Sequence, residues 1–197
     1  MRNALTFSFL LLGASLLGPA SAAEEWKIDP GHSNATFSVR HLVISTVRGV
    51  VPIREGSLAT DGSAVPVAVS AVLDAAKISS GNDNRDGDLR GKDWLETDKY
   101  PTITFKSTKV VAGSDASSFT LDGDLTIHGV TKKVSLIGKS FGTTTDGRGR
   151  KRAGYEATTT IDRRDYGLNW AMQTPGGGLV AANEVQITLD VEAVSAG

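Results

Sequence analysis

From Trp26 onward the side chains alternate between apolar and polar, and this period of two decides what the chain can become. In NATFSVRHL, Ala35, Phe37 and Val39 share one face while Thr36, Ser38 and Arg40 share the other. In SFTLDGDLTIH, Phe119, Leu121, Leu125 and Ile127 oppose Thr120, Asp122, Asp124 and Thr126. VPVAVSAVL, YPTITFKST, VSLIGKSF, AGYEATTTI and EVQITLDVEAV repeat the scheme. Such alternation marks strands with one buried and one wet face. With a further strand across GVVPIREGSLA, the count is about eight. Turn signals at Asp61-Gly62, Gly113-Ser114, His128-Gly129 and Asp146-Gly147 separate most of them. Turns this short join antiparallel neighbours. The expected fold class is all-β: one extended, lipocalin-like antiparallel barrel whose interior holds packed side chains or one small ligand. Pro52 inside a strand pattern predicts an edge or a bulge there.

Two segments break the rhythm. Residues 78–100 lack alternation, and LRGKDWLE within them suggests a short helix. A Gly-rich stretch with Trp170 and Met172 runs over residues 166–183. The N-terminus reads as a leader over residues 1–22. Arg2 precedes an apolar run of about 15 residues, shorter than the roughly 20 of a membrane span. Ala20-Ser21-Ala22 then sets cleavage before Ala23. The mature barrel domain is expected over residues 23–197, exported to the periplasm or secreted, with no integral membrane segment.

Composition narrows the chemistry. The chain has 0 Cys, which removes thiol nucleophiles, thiolate metal sites and redox CxxC motifs. With 21 Lys and Arg against 22 Asp and Glu, no general field draws nucleic acid. His32, His41 and His128 lack metal-ligand spacing, and there is neither a GxSxG elbow nor a phosphate-cradling Gly loop. Residues 82–93 imitate a calcium loop, but Asn82 and Asp93 stand where Asp and Glu are needed, so turn and cap roles are simpler. The run from Arg148 to Arg152 sits beside Gly147 and Gly149 and reads as a solvated hairpin tip. No cofactor and no metal are expected. Arg85-Asp86, ahead of Leu89 and Trp94, and Asp162-Arg163 with Tyr166 place charges beside aromatics at an expected barrel mouth. They are either loop-locking ion pairs or a polar collar for a ligand head.

Several of these blocks resemble the YceI-like family. They are W-x-I-D-P-x-H-S at Trp26, F-S-V-R-H-L at Phe37, Arg48-Gly49, Arg85-Asp86 with Leu89, and Tyr100-Pro101-x-Ile103-x-Phe105. L-x-G-D-L-T-I-H-G-V-T-K at Leu121, Asp162-Arg163 with Tyr166-Gly167, and E-V-x-I at Glu184 follow in order. The resemblance implies a lipocalin-like barrel outside the cytoplasm that binds polyisoprenoids, isoprenoid quinones or other long amphiphiles. Asp88, Val50 and Tyr166 depart from the family's usual His, aromatic and Phe.

The expected function is therefore non-catalytic binding, transport or sequestration of an isoprenoid-type lipid or other long-chain amphiphile. Phe37, Val39, Ile103, Phe105, Leu121 and Leu125 are assigned to the apolar interior. His32, His41, Arg85, Asp86, Trp94, Arg163, Tyr166 and Trp170 are assigned to the mouth, where cations and imidazoles donate to a head group. One rival is an enzyme acting inside the barrel through His32 or His41. Another is a packed protein acting through its surface. The oligomeric state is open, with a dimer the state to test.

Overall fold

The computed structural model describes residues 23–196, so the leader expected at residues 1–22 lies outside the described residues. Nine strands run in the order β1 (Glu24–Ile28), β2 (Asn34–His41), β3 (Ser45–Thr60), β4 (Pro66–Asp74), β5 (Thr102–Ala112), β6 (Ser118–Ile127), β7 (Val130–Thr145), β8 (Lys151–Asp162) and β9 (Ala181–Ser195). All pair antiparallel, from β2 round to β9, and β2 then pairs with β9 to close the barrel. β1 and β2 both lie between β3 and β9 and run the same way, so they are two halves of one interrupted wall strand. The wall has the eight positions that alternation predicts. The interruption falls at Asp29-Pro30-Gly31, where Pro30 removes a ladder donor and the Asp29 carboxylate accepts from Gly31 N–H at 3.0 Å.

Turn chemistry sets the registers. At the β6–β7 hairpin His128 and Gly129 both have positive φ, 51° and 74°, the geometry of a two-residue type I′ turn. Asp146 Oδ1 accepts from Arg148 N–H and Arg150 N–H across the β7–β8 tip. β8 and β9 stay in register from Arg152↔Val194 to Asp162↔Glu184, about 34 Å along the strands and roughly 26 Å along a tilted barrel axis. Pro52 is not on an edge, because a closed barrel has none. It pairs with Asn34 where the β2 ladder ends, beside a bulge between Ile53 and Glu55.

The helix, α1 (Asp83–Arg90), starts and stops earlier than LRGKDWLE suggests. Asn82 caps it by accepting from Arg85 N–H, Asp83 and Asp86 occupy its first turn, and Gly91 ends it. Of the calcium-like residues, Asn82 is the cap and Asp83, Asn84, Asp86 and Asp88 belong to α1, while Asp93 lies in the turn beyond it. Among the described residues no helix is long and apolar enough to cross a membrane.

The two ends of the barrel differ. Turns at residues 61–65, 113–117 and 146–150 lie at one end, with Trp26, Ala153 and Ala193 packed almost fully out of solvent just inside. There Trp26 Nε1 donates to Thr60 Oγ1 at 3.2 Å, and Phe119 meets Tyr155 edge-on at 6.4 Å. The other end carries the turn at residues 42–44, the α1 connection and the long connection from β8 to β9.

Candidate functional site: an apolar bore with one polar mouth

Inward side chains do not meet along the axis. They surround a cavity of about 450 Å³, within the roughly 300–1,000 Å³ of small-molecule sites. Phe37 and Val39 from β2, Ile103 and Phe105 from β5, and Leu121 and Leu125 from β6 all line it. Ile161 of β8 and Val185 and Ile187 of β9 complete the wall, on the faces that alternation in AGYEATTTI and EVQITLDVEAV gives those strands. Trp26, Ala153 and Ala193 are buried beyond the lining and seal one end.

Three pairs keep the bore open. A Cβ added at Gly138 would lie 2.1 Å from the Phe119 ring, one at Gly123 2.4 Å from Phe105, and one at Gly49 2.4 Å from Phe37. Each ring's outer edge therefore occupies the space over a glycine of the next strand that any side chain there would fill. The pairs become visible only once register is known: Phe37 faces Gly49 and Phe119 faces Gly138, whereas Phe105 reaches Gly123 diagonally.

At the opposite end the lining turns polar, through Arg40, His41, Arg85, Asp88 and Arg163 with Trp94 and Trp170. The two indoles stack 5.2 Å apart, and the Arg163 guanidinium lies 5.3 Å from the Trp94 ring centre. Arg163, only 2% exposed, gives its donors to the backbone. Nε donates to Ala182 O at 3.0 Å, Nη2 to Trp170 O at 2.7 Å and Ala181 O at 3.3 Å, and Nη1 to Leu168 O. Burial draws its pKa below the usual guanidinium value, opposed by Asp162. Arg163 thus ties down the long connection. Arg85 donates from Nε to Ser80 Oγ at 2.7 Å and from Nη2 to Ser80 O at 3.0 Å.

Three residues assigned to the mouth stand elsewhere. Asp86, in the first turn of α1, is buried, and the Ser80 hydroxyl foremost, with Ser80 N–H at 2.7 Å and the Ser79 hydroxyl, holds its carboxyl below the ordinary range. It belongs to the loop-locking alternative. Tyr166 is 1% exposed and does not line the bore; burial, foremost, pushes its phenol up to about 12. Tyr166 is turned into the core beside His128, whose Nδ1 lies 3.3 Å from Tyr166 O. His32 lies in the β1–β2 interruption on the outer wall, its ring 3.0 Å from Asp29 Oδ2. Sequence proximity to Phe37 misleads here, because the turn at residues 29–33 carries His32 outside.

Asp29, His32 and Glu192 bring ligand atoms within 4.8 Å of one another. Arg152 already fills that space, donating from Nη1 to Asp29 at 2.9 Å and to Glu192, while its Nε reaches Asp146 at 2.9 Å. The Arg152 guanidinium, with help from His32, holds the Asp29 carboxyl at about 2. A metal ion would have to displace a triply paired guanidinium, so this cluster reads as a structural tie.

Among the described residues no serine or cysteine lines the bore, and His41 is its one histidine. Such a mostly apolar wall accepts hydrocarbon; Thr36, Tyr155, Glu156 and Thr159 interrupt it along the barrel, and its charged side chains otherwise gather at the mouth. A closed antiparallel barrel around an apolar bore defines a lipocalin-like class of container. The chain belongs to the YceI-like family, whose domain model matches residues 26–193. It is 34% identical to protein YceI of Shigella flexneri over 194 residues, covering 96% of this chain and 95% of that one. The crystal structure of the Campylobacter jejuni YceI protein superposes with a TM-score of 0.65 at 25% identity, covering 79% and 88% of the two chains. A polyisoprenoid-binding domain from Saccharophagus degradans shares the fold with a TM-score of 0.65 at 16% identity, covering 86% and 98%.

Proposed function

We propose that the protein binds and carries, without altering it, a long amphiphile of the polyisoprenoid or isoprenoid quinone type in the cell envelope. The observation that carries this reading is the continuous bore of about 450 Å³ walled by apolar side chains. At about 25 cal/mol per Å², a tail burying on the order of 400 Å² gains roughly 10 kcal/mol before ordering costs. Micromolar binding needs about 8 kcal/mol, so the tail alone supplies the scale. The tail lies against Phe37, Val39, Ile103, Phe105, Leu121 and Leu125, and the head stays at the wet end near His41, Arg85 and Trp170. The binding of polyisoprenoid by a domain of the same fold supports the choice of ligand class. A packed protein acting through its surface fits poorly with such a bore.

The test is native mass spectrometry of delipidated protein offered an isoprenoid quinone, a polyprenyl phosphate and a straight-chain fatty acid. Retention of the isoprenoids is expected. If none is retained, the reading is wrong; if the fatty acid is retained equally, the ligand class is broader than proposed.

A further inference from the structure

Around the mouth, two loops present apolar side chains outward. Val43 is 68% exposed, Ile44 81% and Met172 58%, with Leu42 at 37%. Leu42 and Val43 hold positive φ, 51° and 65°, which a β-branched residue adopts only under constraint. The constraint is visible. Leu42 N–H donates to Val180 O at 2.9 Å, Ile44 N–H to His41 O at 3.2 Å, and Arg40 Nη2 to Val43 O at 2.5 Å. Val180 N–H in turn donates to Met172 O at 2.9 Å, tying the second loop to the first.

Neither loop carries charge. Residues 42–47 and 167–183 contain no Asp, Glu, Lys or Arg, in a chain that is 22% charged. Arg40, at the base of the hairpin, folds its guanidinium back onto Val43 O and, at 3.0 Å, Thr46 Oγ1, so this cation is held by the hairpin itself. The apolar rim is continuous with the bore, since His41, Val180 and Trp170 line the cavity immediately beneath it.

We propose that this rim, built on Leu42, Val43, Ile44 and Met172, docks onto a lipid bilayer surface so that the bore opens directly into the membrane. The proposal rests on the carrier reading above. Exposed Val43, Ile44 and Met172 favour insertion among acyl chains, and the nearby cation, Arg40, is already bonded to Val43 O, so docking is expected on neutral and anionic bilayers alike.

The experiment compares the protein with V43D/I44D and, on the second loop, M172D. Flotation is measured with phosphatidylcholine vesicles and with phosphatidylethanolamine–phosphatidylglycerol vesicles. Uptake of an isoprenoid quinone is measured both from vesicles and from ethanol solution. The parent is expected to float with both vesicle types. Each variant is expected to lose about tenfold in partitioning and in the rate of uptake from vesicles, while binding quinone from ethanol as the parent does. That unchanged binding also shows the variants folded. Equal flotation of parent and variants overturns the docking proposal, as does no flotation of a parent that binds quinone from ethanol. Failure to bind quinone from ethanol sinks the carrier reading instead. If light scattering shows a concentration-dependent dimer that V43D/I44D breaks, the rim is a self-association surface and the bilayer proposal falls.

Discussion

At the sealed end the barrel is finished by side chains packing inward, whereas at the mouth it is finished by backbone held in place from below. Trp26, Ala153 and Ala193 close the first by burial, and Arg152 clamps its outside with three carboxylates. The second depends on Arg163, whose partners are carbonyl oxygens of the long connection and of the first residues of β9. The difference teaches how a hollow barrel divides its stability. The sealed end can be packed for strength because nothing passes through it. The mouth must keep polar backbone ordered without filling the space that a ligand enters.

Substitutions at the two ends should therefore have separable effects. The largest is expected from Trp26→Ala, about 3–5 kcal/mol of global stability in urea unfolding, from lost burial and a new cavity. Retained lipid class should not change, because Trp26 lies beyond the bore lining. Next comes Arg163→Met, which strands the carbonyls of Leu168, Trp170, Ala181 and Ala182, at about 2–3 kcal/mol. Faster hydrogen exchange should appear over residues 168–182 and spare β5–β6, with loss of quinone retention. A uniform rise in exchange would erase the proposed division.

Gly138→Ala probes the bore between the ends. Its methyl would displace the Phe119 ring, at about 1–3 kcal/mol of overpacking, and direct it into the lumen. Native mass spectrometry should show a loss of bulky isoprenoids with a thinner fatty acid tolerated. Unchanged isoprenoid retention would show that the ring has another place to go.

The smallest effect is electrostatic. Asp29 is held at about 2, below the 3.8 of a free carboxyl, chiefly by Arg152. A depressed carboxylate contributes stability in full above its unfolded pKa, and that contribution is lost as pH falls through the folded value. The Asp29 tie is thus complete above about pH 4 and lost towards pH 2. Arg152→Met should move the Asp29 midpoint up towards 3.8 in an NMR titration, and the acid limb of unfolding should rise with it. An unmoved midpoint would assign the shift to His32.

What was legible in the amino acids follows the same division. Strand alternation identifies the inward face at Phe37, Phe105 and Leu121 because a side chain's direction in a strand depends only on parity. It also identifies the turn at His128-Gly129 and a helix somewhere in residues 78–100. It cannot say that His32 leaves the wall, since Asp29-Pro30-Gly31 breaks one strand into two collinear pieces. Nor can it distinguish Arg163 at a mouth from Arg163 beneath one, because its carbonyl partners carry no side-chain signal. The glycines under the phenylalanines were hidden for a related reason: each belongs to the neighbouring strand.

The seal made by Trp26, Ala153 and Ala193 turns the barrel into a cul-de-sac. Cargo that enters tail-first must leave head-first by the same doorway, and a second molecule cannot push the first through. Exchange is then strictly sequential, and any amphiphile longer than the depth available leaves its last units and head group outside, on display to whatever receives it.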